Sequence, residues 1–167
     1  MPSKIFFDPS RIDQKTVQIP LEEIRTLNPH RHEFEQLDGV FLLLPDESLI
    51  VGYKDVRSDE FWVRGHFPGN PLLPGVLMLE AAAQLCSVYQ YRICPPKGYF
   101  GFGAIDGVKF RAAVRPGERL ILIGHAVHLH SRRSIFNVQA VVGDRLVMEA
   151  TITGVGIPSE EPPPGKE

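Results

Sequence analysis

The sequence predicts an α+β fold in which an antiparallel β-sheet wraps around one long central helix. Three observations carry that prediction. Along the chain, two strand-like stretches precede one long helical pattern, and four strand-like stretches follow it. The helix reads Val76-Leu-Met-Leu-Glu-Ala-Ala-Ala-Gln-Leu-Cys-Ser-Val-Tyr89, apolar nearly all round, so it must be buried on most sides. Runs of strands around a single helix are the pattern of an α+β domain, and a sheet that curls around the helix meets its need for burial.

Each element has its own signal. Residues 1–19 show no strong periodicity and read as an N-terminal arm. Residues 19–27 carry Leu21, Ile24 and Leu27 at helical spacing, with Glu22 and Glu23 near the start where negative charge suits the helix dipole, and Pro29 closes the segment. Strands are expected over residues 39–44 and 49–56, joined through the hairpin-like turn Pro45-Asp-Glu-Ser48. Residues 57–74 form an irregular stretch rich in Pro and Gly that feeds the central helix from Gly75 to Ile93, which ends at Cys94-Pro-Pro96. Further strands are expected over 99–110, 119–130, 134–142 and 145–156, with Pro116-Gly117 and Gly143-Asp144 as turns. The Pro- and Glu-rich residues 158–167 read as a disordered tail, leaving one domain over 20–157.

The chain has 167 residues, of which 43% are hydrophobic, enough for one packed core. A formal net charge of −2 argues against a nucleic-acid binder, which carries a broad basic surface. Basic residues cluster only locally, in Lys109-Phe-Arg111 and Arg132-Arg133, which leaves room for a small acidic partner. The two cysteines, Cys86 and Cys94, lack the spacing of a redox or zinc motif and read as a core residue and a helix-end residue in a reducing compartment. No segment resembles a signal peptide or approaches the apolar length of a membrane span, so a cytoplasmic location is expected.

The central helix holds one anomaly. Glu80, Gln84 and Ser87 fall at i, i+4 and i+7 and make a polar stripe on an apolar rod. Burying a carboxylate costs several kcal/mol, by order of magnitude, unless it is paired, protonated or used. The helix offers no Lys or Arg before Arg92, so Glu80 is expected to stay protonated near neutral pH, as a general acid should. The plain alternative is a stripe that faces solvent. Upstream, Gly65-His-Phe-Pro-Gly-Asn-Pro-Leu-Leu-Pro-Gly75 is stiffened by its prolines, and His66 is the side chain in it suited to act as a base near neutral pH. A lone loop histidine is more often structural; the nearby Glu80 and Gly75 raise its standing. Gly75 opens the helix, where a backbone N–H at the positive end of the dipole can hold a carbonyl oxygen as negative charge develops on it.

Gly65-His-Phe-Pro-x-x-Pro-x-x-Pro-Gly-Val-Leu77 followed by Glu80-Ala-x-x-Gln84 resembles the signature of the 3-hydroxyacyl-[acyl-carrier-protein] dehydratases of bacterial fatty acid synthesis, which have the hot-dog fold. Pro29-His-Arg31, Ile105-Asp-Gly-Val-Lys-Phe-Arg111 and Arg115-Pro-Gly-Glu118 resemble further parts of that family, and the likeness runs from about Pro20 to Ile157. The resemblance implies that His66 takes the proton from C2 and that Glu80 protonates the departing C3 hydroxyl. It also implies that the Leu72 carbonyl orients His66, that the Gly75 N–H polarises the thioester carbonyl, and that Gln84 holds Glu80. It implies no cofactor and no metal. A homodimer is implied, often built into hexamers, with each site shared between subunits, and the partner is an acyl carrier protein. Lys109, Arg111, Arg132 and Arg133 are its candidate contacts, although Arg132 and Arg133 read equally well as a solvated hairpin tip.

The chain departs from the family pattern at His32-Glu-Phe-Glu-Gln36 and at Tyr99-Phe-Gly-Phe-Gly103, which concerns the acyl tunnel rather than the acid–base pair. His30 and His32 read as capping or tethering the N-terminal helix. His125, His128 and His130 invite a metal reading, but only His128 and His130 would share one strand face, and no third ligand or supporting carboxylate is evident nearby. Two alternatives stay open: a hot-dog thioesterase working through a carboxylate-activated water, and a non-catalytic acyl-thioester-binding protein.

Overall fold

The computed structural model describes residues 4–160. Seven strands form one fully antiparallel sheet in the order β1-β2-β3-β5-β6-β7-β4. They are β1 (Ile19–Pro20), β2 (Gly39–Leu44), β3 (Leu49–Asp55), β4 (Tyr99–Phe110), β5 (Arg119–His128), β6 (Arg133–Val142) and β7 (Arg145–Ile157). The sheet wraps the helix α2 (Gly75–Ile93), and a short helix α1 (Leu21–Leu27) lies at its side. The expected strands and the long helix are all present. The expected tail from Pro158 is exposed as far as Glu160, and its last residues, 161–167, lie outside the described residues.

The core follows from strand periodicity. On β3 and β5, Ile50, Leu120 and Leu122 face α2 and pack with Leu85, Val88 and Tyr89. Gly52 lets the helix approach: a Cβ there would stand 2.7 Å from the Leu85 side chain and 2.7 Å from the Gly39 carbonyl oxygen. Cys86 is buried in this core, and burial pushes its thiol pKa up.

The N-terminal segment differs from the expectation of a plain arm. Ile19 pairs with Val40, so the first periodic residue is a strand residue and the helix starts only after Pro20. Residues before it cover the outer face of the sheet, where Phe7 packs with Phe41, Leu49, Val51, Ile121, Ile123 and Val141. Buried Gln139 clamps the segment, accepting from the Phe6 N–H at 2.7 Å and donating to the Lys4 carbonyl at 3.0 Å. The sequence signal lies in Leu49-Ile-Val51 and Leu120-Ile-Leu-Ile123, runs without alternation that require cover on both faces of a sheet.

β4 forms an edge of the sheet. Among the described residues it pairs only with β7, and residues 102–107 are exposed along with Lys109 and Phe110.

Candidate active site

The loop before α2 is pinned at both ends. Lys54 is completely buried on β3 and its ammonium lies 2.9 Å from Glu60 Oε2. Glu60 also accepts from the Trp62 indole at 3.0 Å and from the Arg57 N–H at 2.9 Å. Burial alone would raise the Glu60 pKa; these donors and the Lys54 charge outweigh it and hold the carboxyl below the usual glutamate range. At the far end the Leu73 N–H donates to the Val114 carbonyl at 2.8 Å, and the Arg115 guanidinium donates to Asn70 Oδ1 at 2.7 Å.

Between these anchors, His66 Nδ1 lies 2.7 Å from the Leu72 carbonyl oxygen. A carbonyl only accepts, so Nδ1 carries the hydrogen, and the neutral ring in this tautomer has its lone pair on Nε2, the form a general base needs. The Leu72 N–H returns a bond to the His66 carbonyl at 2.8 Å. His66, Leu72, Gly75, Val76, Phe110 and Arg111 share one open groove of about 500 Å³. Gly75 stands at the first position of α2, where backbone N–H groups have no partner within the helix.

Glu80 sits elsewhere. Its side chain is 17% exposed and lines a small cavity with His30, Gln84, Ser87, Phe100 and Phe102. This cavity and the His66 groove have no lining residue in common. The Gln84 amide donates to Glu80 Oε1 at 2.8 Å. The same amide donates to the Phe34 carbonyl at 2.6 Å, and Gln84 Oε1 accepts from the Gln36 N–H at 2.9 Å. The unusual His32–Gln36 segment is thus the strip of backbone that grips Gln84.

Two expectations are corrected here. His30 does not tether α1; Arg31 does so, donating to the carbonyls of Arg25, Asn28 and His30. His30 instead places Nε2 3.2 Å from Glu80 Oε1. Nor is Glu80 held protonated: burial pushes its pKa up, but the hydrogen bonds from His30 and Gln84 bring it below the usual glutamate range. The missing hydrogen-bond donor comes from a segment distant in sequence, which helix patterning cannot reveal.

The four basic candidates fall in two groups. Lys109 and Arg111 both reach Glu149, and Arg111 borders the His66 groove. Arg132 and Arg133 are exposed at the β5–β6 turn, where the Arg132 carbonyl accepts from Gly156, at the Tyr99 end of β4. The two groups lie at opposite ends of β4, roughly 35 Å apart at the usual strand rise. β5 ends at His128, which leaves His130 in the turn rather than on a shared strand face. Among the described residues, no group of three or more His, Cys, Asp or Glu is placed to hold a metal ion, and no helix is long and apolar enough to cross a membrane.

With this geometry in view, comparison with known proteins places the chain. Residues 28–151 match the model of the FabA-like domain, and the chain belongs to that family. It is 37% identical over 138 residues to a protein of Enterococcus faecalis named 3-hydroxyacyl-[acyl-carrier-protein] dehydratase FabZ, spanning 82% of this chain and 97% of the relative. Its identity to the protein of the same name from Lactiplantibacillus plantarum is 39% over 132 residues, 78% of this chain and 89% of that one. Among solved structures, the dehydratase heterocomplex ApeI:P from Xenorhabdus doucetiae aligns with a TM-score of 0.68 at 14% identity, covering 82% of this chain and 91% of the other. A mutant of thioesterase PA1618 from Pseudomonas aeruginosa aligns with a TM-score of 0.55 at 19% identity, covering 72% and 82%. At such identities the structures speak for the hot-dog fold alone.

Proposed function

We propose that this protein dehydrates 3-hydroxyacyl thioesters on an acyl carrier protein to 2-enoyl thioesters in fatty acid synthesis, as a homodimer whose sites each combine His66 of one subunit with Glu80 of the other. One observation carries the reading. The Glu80 cavity borders β4 at Phe100 and Phe102, and the His66 groove borders the same edge strand at Phe110. A two-fold axis through the middle of an antiparallel β4–β4 pair exchanges the ends of the strand, and so sets each Glu80 cavity against the other subunit's His66 groove. The same operation brings Arg132 and Arg133 of the partner subunit to the end that carries Lys109 and Arg111, forming one basic mouth for an acidic carrier.

In this arrangement His66 Nε2 takes the C2 proton while the Gly75 N–H stabilises the charge on the thioester oxygen. The C2–H electron pair becomes the double bond as the C3–O bond breaks, and Glu80 protonates the leaving hydroxyl, so that water departs. An acyl chain and a second subunit closing over Glu80 strengthen the burial effect that already acts upward on its pKa.

The lowered Glu80 pKa favours one rival, a thioesterase whose carboxylate activates water. Purified protein supplied with 3-hydroxybutyryl thioester separates the readings, with enoyl product and free thiol followed in parallel. Enoyl product without thiol is expected. Thiol without enoyl product would establish the thioesterase instead, and neither product would leave a binding protein.

A further inference from the structure

Asn28 is 2% exposed, and its Nδ2 donates to the main-chain carbonyl of Gln84 at 3.0 Å. Its Oδ1 has no partner among the described residues. A buried amide half used in this way is a poor source of stability, because the unmatched oxygen offsets what the donor gains. An apolar side chain would cost less here, and the Gln84 carbonyl would keep its bond within the helix. The bond is better explained by where it puts the chain. Asn28 closes α1, its N–H donating to the Ile24 carbonyl at 2.8 Å, and Pro29 after it favours the extended backbone seen at φ −88°, ψ 132°. Two residues of extended chain advance about 6–7 Å, and four helical residues advance about 6 Å. A segment pinned at Gln84 by residue 28 therefore brings residue 30 level with Glu80, one turn closer to the start of α2. His30 is found there, with Nε2 3.2 Å from Glu80 Oε1. Arg31 fixes the spacing, donating to the Asn28 carbonyl at 2.9 Å and to the His30 carbonyl at 2.7 Å.

We propose that Asn28 is a positioning residue for the dehydration: its bond to the Gln84 carbonyl sets the register of residues 28–30 along α2 and so holds His30 against Glu80. The inference rests on the dehydratase reading, in which Glu80 is the acid. Asn28 touches no reacting atom and acts through His30. Burial pushes the Glu80 pKa up, and the His30 and Gln84 hydrogen bonds oppose it, so a displaced His30 ring changes how readily the acid gives its proton. Among the residues lining the cavity, the titratable groups besides Glu80 are His30 and Cys86, and burial keeps the Cys86 thiol neutral. β4 and β7 face the cavity with Phe100, Phe102, Ile152 and Gly154, none of them charged. In sequence Asn28 is a helix-closing residue before a proline; its role comes from the turn of α2 that it meets.

The test uses Asn28→Leu and Asn28→Ala in the full-length protein, both checked as folded by circular dichroism. The His30 ring nitrogen shifts, read by NMR, should move toward those of a solvent-exposed imidazole in both variants. In the pH profile of kcat/KM, the limb governed by Glu80 should move to higher pH, by no more than in His30→Ala. Adding Asn28→Leu to His30→Ala should move the limb no further, because Asn28 acts through that ring. Unchanged His30 shifts, or a rate lost equally at every pH with the limb in place, overturn the proposal and make Asn28 a packing residue. A double variant whose limb moves by the sum of the two single shifts overturns it as well. Failure of the underlying reading looks different: wild-type protein would then form no enoyl product, while the His30 shifts still report whether Asn28 places the ring.

Discussion

The Lys54 ammonium and the Glu60 carboxylate meet at 2.9 Å in the interior, with Lys54 wholly buried and the Glu60 side chain 7% exposed. The pair joins the sheet to the loop that carries His66, since Glu60 also holds the Trp62 indole and the His66 N–H donates to the Trp62 carbonyl. Removing one partner strands the other as a buried charge, which typically costs about 3–5 kcal/mol. Lys54→Met is therefore expected to lower the stability measured by urea unfolding by that amount. Lys54→Met/Glu60→Gln, which removes the stranded charge and leaves an acceptor for Trp62, should recover a substantial part. A single variant as stable as wild type would mean the pair anchors nothing.

Acid stability follows from the same carboxyl. The folded protein holds Glu60 below its usual range, so its contribution is complete above the unfolded glutamate pKa and fades as pH falls through the lower folded value. Glu80 is shifted the same way and adds to the loss on the same side. Urea midpoints should hold steady from neutral pH to about pH 5 and then decline toward pH 3. Glu60→Gln should flatten that decline, and an unchanged slope in this variant would show that other groups set it.

The parts legible in the sequence are those with local causes. The apolar run from Val76 to Tyr89 marked the buried helix, and turn residues marked the hairpins. His66 stood out because stiff residues surround it, and Glu80 because its neighbours on the helix are apolar. What sequence left hidden depends on contacts across the fold. Nothing in Tyr53-Lys-Asp55 indicates that Lys54 turns inward to Glu60. Nothing next to His30 indicates Glu80, and this missing contact reversed the expected direction of the Glu80 pKa. The cover over the outer face was signalled by the unbroken apolar runs of β3 and β5, but the identity of the cover was not, because Phe7 meets Phe41 and Ile121, and Phe6 meets Gln139, only once the sheet has formed.

Sharing of the site between subunits makes a quantitative prediction. Protein carrying His66→Ala and protein carrying Glu80→Gln should each be nearly inactive. Mixed in equal amounts through a cycle of unfolding and refolding, half of the dimers are heterodimers with one intact site. Activity should return to about one quarter of the wild-type rate. No recovery would place both residues of each site in a single subunit.

His30 predicts a shift in the pH profile. Its ring stands 3.2 Å from Glu80 and helps to hold that carboxyl low. His30→Ala should move the limb of kcat/KM governed by Glu80 to higher pH, because burial then acts with less opposition. A variant that loses rate at every pH without moving the limb would assign His30 a purely structural part.

Gly154 on β7 sets the shape of the Glu80 cavity. A Cβ there would stand 2.1 Å from two ring atoms of Phe100, a distance that forces the ring to move. Phe100 and Gly154 both line the cavity, so a displaced ring alters the space beside Glu80. Crowding of this kind costs about 1–3 kcal/mol, which should appear as a modest fall in the thermal midpoint of Gly154→Ala. The dehydration rate should fall further than stability explains, because the ring now competes with the substrate for the space beside the acid. Phe100→Ala in the same chain removes the clash and should restore the thermal midpoint toward that of the Phe100→Ala single variant. If Gly154→Ala instead keeps full activity at a temperature where it is folded, Phe100 does not limit access to Glu80.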